Sequence, residues 1–186
     1  SPNLPMLKPW TPVSFEFFPP RTGAQQHTLR KTWQELAGVK PEYFSVTFGA
    51  GGSSLDATHQ AVLGLQRDSG VPIAPHISCK LQNREVLAEF LDDYARAGVR
   101  RLVVLRGDRQ EGDTDTGPFR YANDLVTAVR EIGGERFSIE VACYPEFHPE
   151  STSPESELKY FRQKVDAGAT GAITQYFYNA DSYFRF

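Results

Sequence analysis

Short apolar runs alternate along the chain with longer stretches whose apolar residues recur at helical spacing. The β-type runs cover residues 13–18, 43–48, 73–79, 101–106, 137–144 and 171–177. The helical stretches between them cover 28–37, 55–69, 84–97, 121–132 and 154–167. The third shows the period well, with Val86, Leu87, Phe90, Leu91 and Tyr94 on one stripe. Gly38, Gly70, Gly98, Gly133 and Gly168 each follow a helical stretch, where a left-handed C-cap favours glycine. Ser153-Pro154-Glu155 reads as an N-cap with proline at the first helical position. Residues 109–118, with Gly, Asp and Thr, read as a solvated loop after the fourth strand.

Strict alternation of strand and helix implies parallel strands joined by right-handed crossovers. An open doubly wound sheet and a (β/α)8 TIM barrel both fit that rule. The open sheet would announce itself by Gly-x-Gly-x-x-Gly after the first strand. Here that strand runs into Phe18-Pro19-Pro20-Arg21, and Gly49-Ala50-Gly51-Gly52 after the second has the wrong spacing. Thr47, His76, Arg106, Tyr144 and Gln175 fall at or near the C-terminal ends of predicted strands, with Asp108 just beyond the fourth. In a barrel those ends converge on one mouth. The expectation is therefore an α/β chain with an extension at 1–12 and an incomplete (β/α)8 barrel at 13–186. Only about the first six βα units are expected, because such barrels usually need about 250 residues; the chain reads as cut short at its C-terminal side.

Composition narrows the function classes. The 186 residues are 40% hydrophobic and 23% charged, with a formal net charge of -3 and scattered Lys and Arg, which argues against a nucleic-acid partner. No stretch approaches the roughly 18 apolar residues of a membrane span, and the first twelve residues lack the apolar middle of a signal peptide, so the cytoplasm is the expected compartment. Cys79 and Cys143 sit in apolar runs and read as buried thiols rather than a disulfide framework.

Several polar groups stand out against that apolar pattern. Glu16 lies in Ser14-Phe15-Glu16-Phe17-Phe18, and alternation puts Ser14, Glu16 and Phe18 on one face. In a barrel Glu16 points inward near the mouth, where burial raises its pKa and suits it to general acid work. A structural acid paired with Arg106 or another barrel cation fits the pattern equally well. Arg106-Gly107-Asp108 reads either as a ligand-contacting turn or as a surface turn with a local ion pair. The stiff turn 144–150 holds Tyr144, His148 and two glutamates, yet no His-x-His pair accompanies it, so no metal is expected. Gln175, an amide among apolar strand residues, offers both donor and acceptor to a polar heterocycle.

Taken together and in order, SFEFFPP at 14–20, Ser45–Gly49 with its following glycines, PHISC at 75–79, LRGD at 105–108, YANDLV at 121–126, ACYPEFHPE at 142–150 and the segment 164–177 resemble the methylenetetrahydrofolate reductase family. The resemblance implies an FAD-containing barrel of the bacterial type, acting in one-carbon metabolism and methionine supply. It would reduce 5,10-methylenetetrahydrofolate to 5-methyltetrahydrofolate with NADH or NADPH, in ping-pong fashion through the flavin. By the same resemblance Glu16 is the acid that opens the methylene bridge, Asp108 contacts the pterin beside the flavin, and Gln175 hydrogen-bonds the folate. Thr47, Phe48, Ala50, His76, Arg106, Gly107, Asp108, Tyr121, Ala122, Tyr144, His148 and Lys164 are implied to line FAD, and Thr47 also to reach the nicotinamide. Glu157, Tyr160 and Gln163 are implied to face its adenosine and diphosphate end. Phe48 departs from the Tyr or Trp common at its position, keeping stacking and losing a hydroxyl. A homo-oligomer is implied as well. The competing reading is a non-catalytic flavin- or folate-binding partial barrel that acts through a partner.

Overall fold

The computed structural model describes residues 13–49, 55–81, 83–107, 117–143 and 171–174. Along the chain run β1 (Ser14–Phe17), α1 (Gly23–Ala37), β2 (Tyr43–Val46), α2 (Leu55–Asp68), β3 (Ile73–Ser78), α3 (Arg84–Ala97), β4 (Arg101–Leu105), α4 (Ala122–Gly133), β5 (Ser138–Cys143) and β6 (Gly171–Thr174). All six strands pair in parallel, each with its neighbour in sequence, in the order β1-β2-β3-β4-β5-β6. A doubly wound sheet reverses its strand order at a switch point. No reversal occurs here, so the strands are those of a (β/α)8 barrel.

Strand parity sorts the side chains onto two faces. Phe15, Phe17, Phe44, Val46, Ile77, Leu102, Val104, Ile139 and Val141 pack outward against Val62 and Leu65 of α2, Leu87, Leu91 and Tyr94 of α3, and Leu125, Val126 and Val129 of α4. Phe44 sits among the rings of β1, edge-on to Phe17 at 4.9 Å between centroids and tilted to Phe15 at 6.3 Å. The opposite parity places Glu16, Ser45, His76 and Ser78 inside, along with a smaller apolar cluster of Tyr43, Ala74, Val103 and Ala142. At the N-terminal end of the inner face Arg101 lies 3.2 Å from Glu42 and 3.6 Å from Glu140, with its guanidinium over the Tyr43 ring. The charges at that end are thus paired with one another.

The predicted β runs each contain a strand, and the first five are slightly longer than the strands themselves. Pairing nevertheless continues past two strand ends, since Thr47 N–H donates to the Phe17 carbonyl at 3.0 Å and Cys79 N–H to that of Leu105 at 3.1 Å. Helix α1 begins at Gly23 rather than at the expected residue 28. Thr22 caps it by accepting from Gln25 N–H, and Gln25 in turn accepts from Arg21 N–H. This first turn carries only polar or small residues and is exposed, so apolar periodicity does not register it. The cap glycines divide. Gly98 (φ 90) and Gly70 (φ 70) are left-handed as expected. Gly38 is right-handed at φ -64, and Lys40 takes the positive φ after α1 instead; Gly133 is the last residue of α4 and Gly134 (φ 59) follows it. The predicted helix 154–167, its Ser153-Pro154 start, Gly168 and the extension 1–12 lie outside the described residues.

Because Phe44 is fully buried between strand and helix layers, Phe44→Ala is expected to cost about 3–5 kcal/mol of stability. Urea unfolding of the purified protein checks this, and a loss below about 1 kcal/mol would contradict the packing described.

Candidate active site

The site assembles where β1 to β4 end. Glu16 on β1 and His76 on β3 both point inward, and their side chains meet with Oε1 and Nε2 3.2 Å apart, within hydrogen-bonding reach. They are only 11% and 6% exposed. Burial pushes the Glu16 carboxyl up from its ordinary 4.5 to about 8, and the same burial pushes the His76 imidazole down from 6.5 to about 4. At neutral pH the acid therefore keeps its proton and the ring stays uncharged. Of the alternatives left open for Glu16, a pairing with Arg106 is not what forms. Arg106 is buried at the end of β4, donates from Nε to the Arg120 carbonyl at 3.2 Å, and lies over the Tyr121 ring.

The turn after β2 carries Thr47 and Phe48, both buried. Thr47 Oγ1 has no hydrogen-bond partner among the described residues. A buried hydroxyl left without one costs roughly 1–3 kcal/mol, so this atom calls for a partner beyond the described residues. Phe48 sets its ring edge-on to Phe90 of α3 at 6.4 Å. The turn is held from α2: Thr58, fully buried, donates to the Thr47 carbonyl at 3.1 Å and accepts from Gly49 N–H at 3.3 Å.

The turn after β4 is built on glycine for two reasons. Gly107 has φ +78, and a Cβ there would lie 2.5 Å from Ser78 Oγ. Ser78, buried at the end of β3, donates to the Arg106 carbonyl at 3.4 Å and accepts from Lys80 N–H at 3.2 Å. The turn 106–107 is thereby tied to the neighbouring strand. Beyond it Tyr121 precedes α4, its N–H donating to the Asp124 carboxylate at 2.9 Å, and the Arg106 and Arg120 guanidiniums both lie 5.2 Å from its ring centroid. Ala122 opens α4 and is fully buried.

Of the residues expected to form the site, Glu16, Thr47, Phe48, His76, Arg106, Gly107, Tyr121 and Ala122 are thus brought to the C-terminal ends of adjacent strands and the start of α4. Ala50, Asp108, Tyr144, His148, Glu157, Tyr160, Gln163, Lys164 and Gln175 lie outside the described residues. Sequence reasoning passed over Thr58 and Ser78. Their only sequence signal is a hydroxyl at an otherwise apolar position, which alone does not distinguish a latch from a tolerated core residue. Among the described residues no group of three or more His, Cys, Asp or Glu could hold a metal ion, and no helix is long and apolar enough to cross a membrane.

These strand ends carry an aromatic ring at Tyr121, a buried cation at Arg106, a hydroxyl at Thr47 without a partner among the described residues, and a protonated acid at Glu16.

Comparison with known proteins agrees with the architecture and specifies it. The methylenetetrahydrofolate reductase family model matches residues 7–186. The chain is 45% identical to the 5,10-methylenetetrahydrofolate reductase of Pectobacterium carotovorum subsp. carotovorum and 43% identical to that of Escherichia coli K12, covering 94% of this chain in each case. It spans 57% of the length of these relatives. A protein of Arabidopsis thaliana named methylenetetrahydrofolate reductase (NADH) 1 is 34% identical over 95% of this chain and 32% of its own length. Among solved structures, 2,3-dimethylmalate lyase aligns over 90% of this chain and 59% of its own with a TM-score of 0.58 at 13% identity. Deoxyribose phosphate aldolase from Aeropyrum pernix aligns over 89% of this chain and 64% of its own with a TM-score of 0.54 at 17% identity. At such identities the likeness is one of fold alone.

Two predictions follow from the geometry. Gly107→Ala is expected to destabilise the protein by about 1–3 kcal/mol, measured by thermal unfolding, because the new methyl meets Ser78 on a backbone that disfavours it. The second concerns pH. Glu16 holds its proton to higher pH in the folded protein than in the unfolded chain, so its contribution is complete below pH 4.5 and is lost as pH rises through about 8. His76 behaves oppositely: its contribution is complete above pH 6.5 and is lost as pH falls through about 4. The slopes oppose each other between 4.5 and 6.5, and above 6.5 only that of Glu16 remains. Stability measured by denaturation should fall from pH 6.5 to 8, and Glu16→Gln should flatten that fall.

Proposed function

The chain belongs to the methylenetetrahydrofolate reductase family, and from that premise we propose that its protein reduces 5,10-methylenetetrahydrofolate to 5-methyltetrahydrofolate with NADH or NADPH, through bound FAD. The observation that carries this reading is the buried, protonated Glu16 on the inner face of the barrel. An acid that keeps its proton at neutral pH can give it to a substrate nitrogen, which is what opening the methylene bridge to an iminium ion demands. A carboxylate on the surface would already have lost that proton.

The residues present fit the flavin. Thr47, Phe48, His76, Arg106, Gly107, Tyr121 and Ala122 would line it, with Thr47 offering a hydroxyl that has no partner among the described residues, Tyr121 contributing a flat ring, and Arg106 a charge for an anionic arm. When bound, FAD supplies the hydride chemistry; the protein supplies position and electrostatics. Gly107 lets backbone approach where a side chain would intrude, and the Thr58 and Ser78 hydroxyls keep the two flanking turns from moving. Glu16 holds its proton at Oε1 or Oε2 until the substrate nitrogen is in reach. Asp108 and Gln175 are assigned to the pterin, and Ala50, Tyr144, His148, Glu157, Tyr160 and Lys164 to the remaining length of FAD, by resemblance to the family. The reading also places the protein in the cytoplasm and makes it a homo-oligomer, with residues 13–186 belonging to the catalytic barrel.

Purified full-length protein should be yellow, oxidise NADH or NADPH with an artificial acceptor, and reduce methylenetetrahydrofolate. A colourless protein without either reaction would overturn the proposal, while a yellow protein without reductase activity would favour a binding role. Glu16→Gln should leave flavin reduction by the nicotinamide nearly unchanged and slow folate reduction by about 10²–10⁴-fold, followed by stopped-flow of each half-reaction. Equal loss in both half-reactions would remove Glu16 from the acid role. Asp108→Asn should slow the folate half-reaction and raise the flavin potential, because a nearby carboxylate disfavours the reduced, anionic flavin.

A further inference from the structure

Glu16 and His76 come from strands that are not neighbours, with β2 between them, yet their polar atoms are 3.2 Å apart inside the sheet. A ring nitrogen facing a carboxylic acid at that distance is either bare, accepting the acid's hydrogen, or protonated, donating to a carboxylate or to the acid's carbonyl oxygen. We propose that His76 is a positioning residue for Glu16: its bare Nε2 accepts the Glu16 O–H and fixes the orientation of the carboxyl group until the substrate nitrogen takes the proton, while Nδ1 carries the ring's own hydrogen. This rests on Glu16 being the acid of the reaction, and it gives His76 a task beyond lining the cofactor.

The surroundings favour the neutral arrangement. The register neighbours are Ser45 beside Glu16 and Val103 beside His76, both uncharged. The charged groups on the inner face of β4 and β5, Arg101 and Glu140, pair with each other, and Arg106 at the end of β4 is engaged with the Arg120 carbonyl and the Tyr121 ring. With no charged group beside the pair among the described residues, transferring the proton from Glu16 to His76 would create two buried ions where there were none, at a cost that their mutual attraction repays only with good additional hydrogen bonding. The direction in which burial moves each group agrees: it holds the proton on Glu16 and off His76.

The geometry then couples the two residues. Once Glu16 has given its proton away, a carboxylate oxygen faces a bare ring nitrogen, and two lone pairs repel. The ring relieves this by taking a proton from water at Nε2 and releasing one to water at Nδ1, with no net change of charge on the imidazole. His76 thus reports the protonation of Glu16 through its tautomer, which a purely structural histidine would not do.

The test is ¹⁵N NMR of the full-length holoenzyme labelled at histidine, with the His76 signals identified by their loss in His76→Gln. The wild type should show the Nδ1–H tautomer at neutral pH and switch to Nε2–H as pH rises through about 8. Glu16→Gln, whose amide donates to Nε2 at every pH, should hold the Nδ1–H form throughout. An infrared carboxylic-acid band lost in step with the histidine switch gives the same answer in the wild type alone, should the variant fail to fold. A doubly protonated ring at neutral pH, or a tautomer unaffected by either the pH step or Glu16→Gln, would overturn the proposal. These readouts do not involve folate turnover, so Glu16 failing as the catalytic acid and His76 failing as its positioning residue are separately visible.

Discussion

Strand parity in a parallel barrel commits every second side chain to a space that helices cannot reach and water enters poorly. Phe15 and Phe17 have to face outward into the helix layer, so Glu16 between them has to face in. Once inside, a carboxyl must either find a cation or keep its proton. The inner face assigns those options to opposite ends. At the N-terminal end Glu42 and Glu140 both have Arg101 beside them. Near the mouth the group facing Glu16 is an imidazole that burial itself keeps neutral. One rule of burial thus produces an ion cluster at one end and an undissociated acid toward the other.

An acid is useful only if what it acts on is held still, and the mouth is held by hydroxyls in addition to the sheet. Ser78 links the β3 end to the β4 turn, and Thr58 reaches from α2 to the β2 turn. Each satisfies backbone groups that would otherwise end their ladder unpaired, where an orphaned buried group costs more than the bond itself contributes. The turns consequently behave as extensions of rigid elements, the condition under which a site keeps its geometry to a fraction of an ångström.

Much of this was legible in the sequence, and the parts that were not share a cause. The strands could be read because each is a short apolar run with helical spacing on either side. The side of the sheet that Glu16 occupies could be read from its two phenylalanine neighbours. Its partner could not. His76 is brought to Glu16 across an intervening strand, and contacts of that kind depend on sheet curvature and tilt, which no local pattern encodes. Charge alone leaves a cationic partner such as Arg106 as open as a free acid, but the backbone carbonyl of Arg120 and the Tyr121 ring engage that guanidinium instead. The first turn of α1 escaped notice because its cap is made by Thr22 and Gln25 with no apolar residue to mark the period. Gly38 and Gly133 misled because a glycine near a helix end supplies the option of a left-handed residue without fixing which position uses it.

The same mouth is, in isolation, an expensive structure. Thr47 buries a hydroxyl without a partner among the described residues, Glu16 and His76 each sit where their ionised forms are disfavoured, and Gly107 occupies a backbone conformation with little tolerance for change. None of these features improves packing, since the apolar contacts that hold the barrel together lie on the other face of the sheet. That separation explains how they are tolerated: the outer layer of Phe44, Leu91, Leu125 and their neighbours stabilises the strands independently of what the inner ends carry. It also explains why unusual chemistry gathers there. A carboxyl kept protonated and a hydroxyl without a partner among the described residues are costs that a ligand able to hydrogen-bond them would relieve, and relief of that kind would add to its affinity. The barrel's outer face makes it stable, and the strain left on its inner face is what gives a ligand a reason to bind.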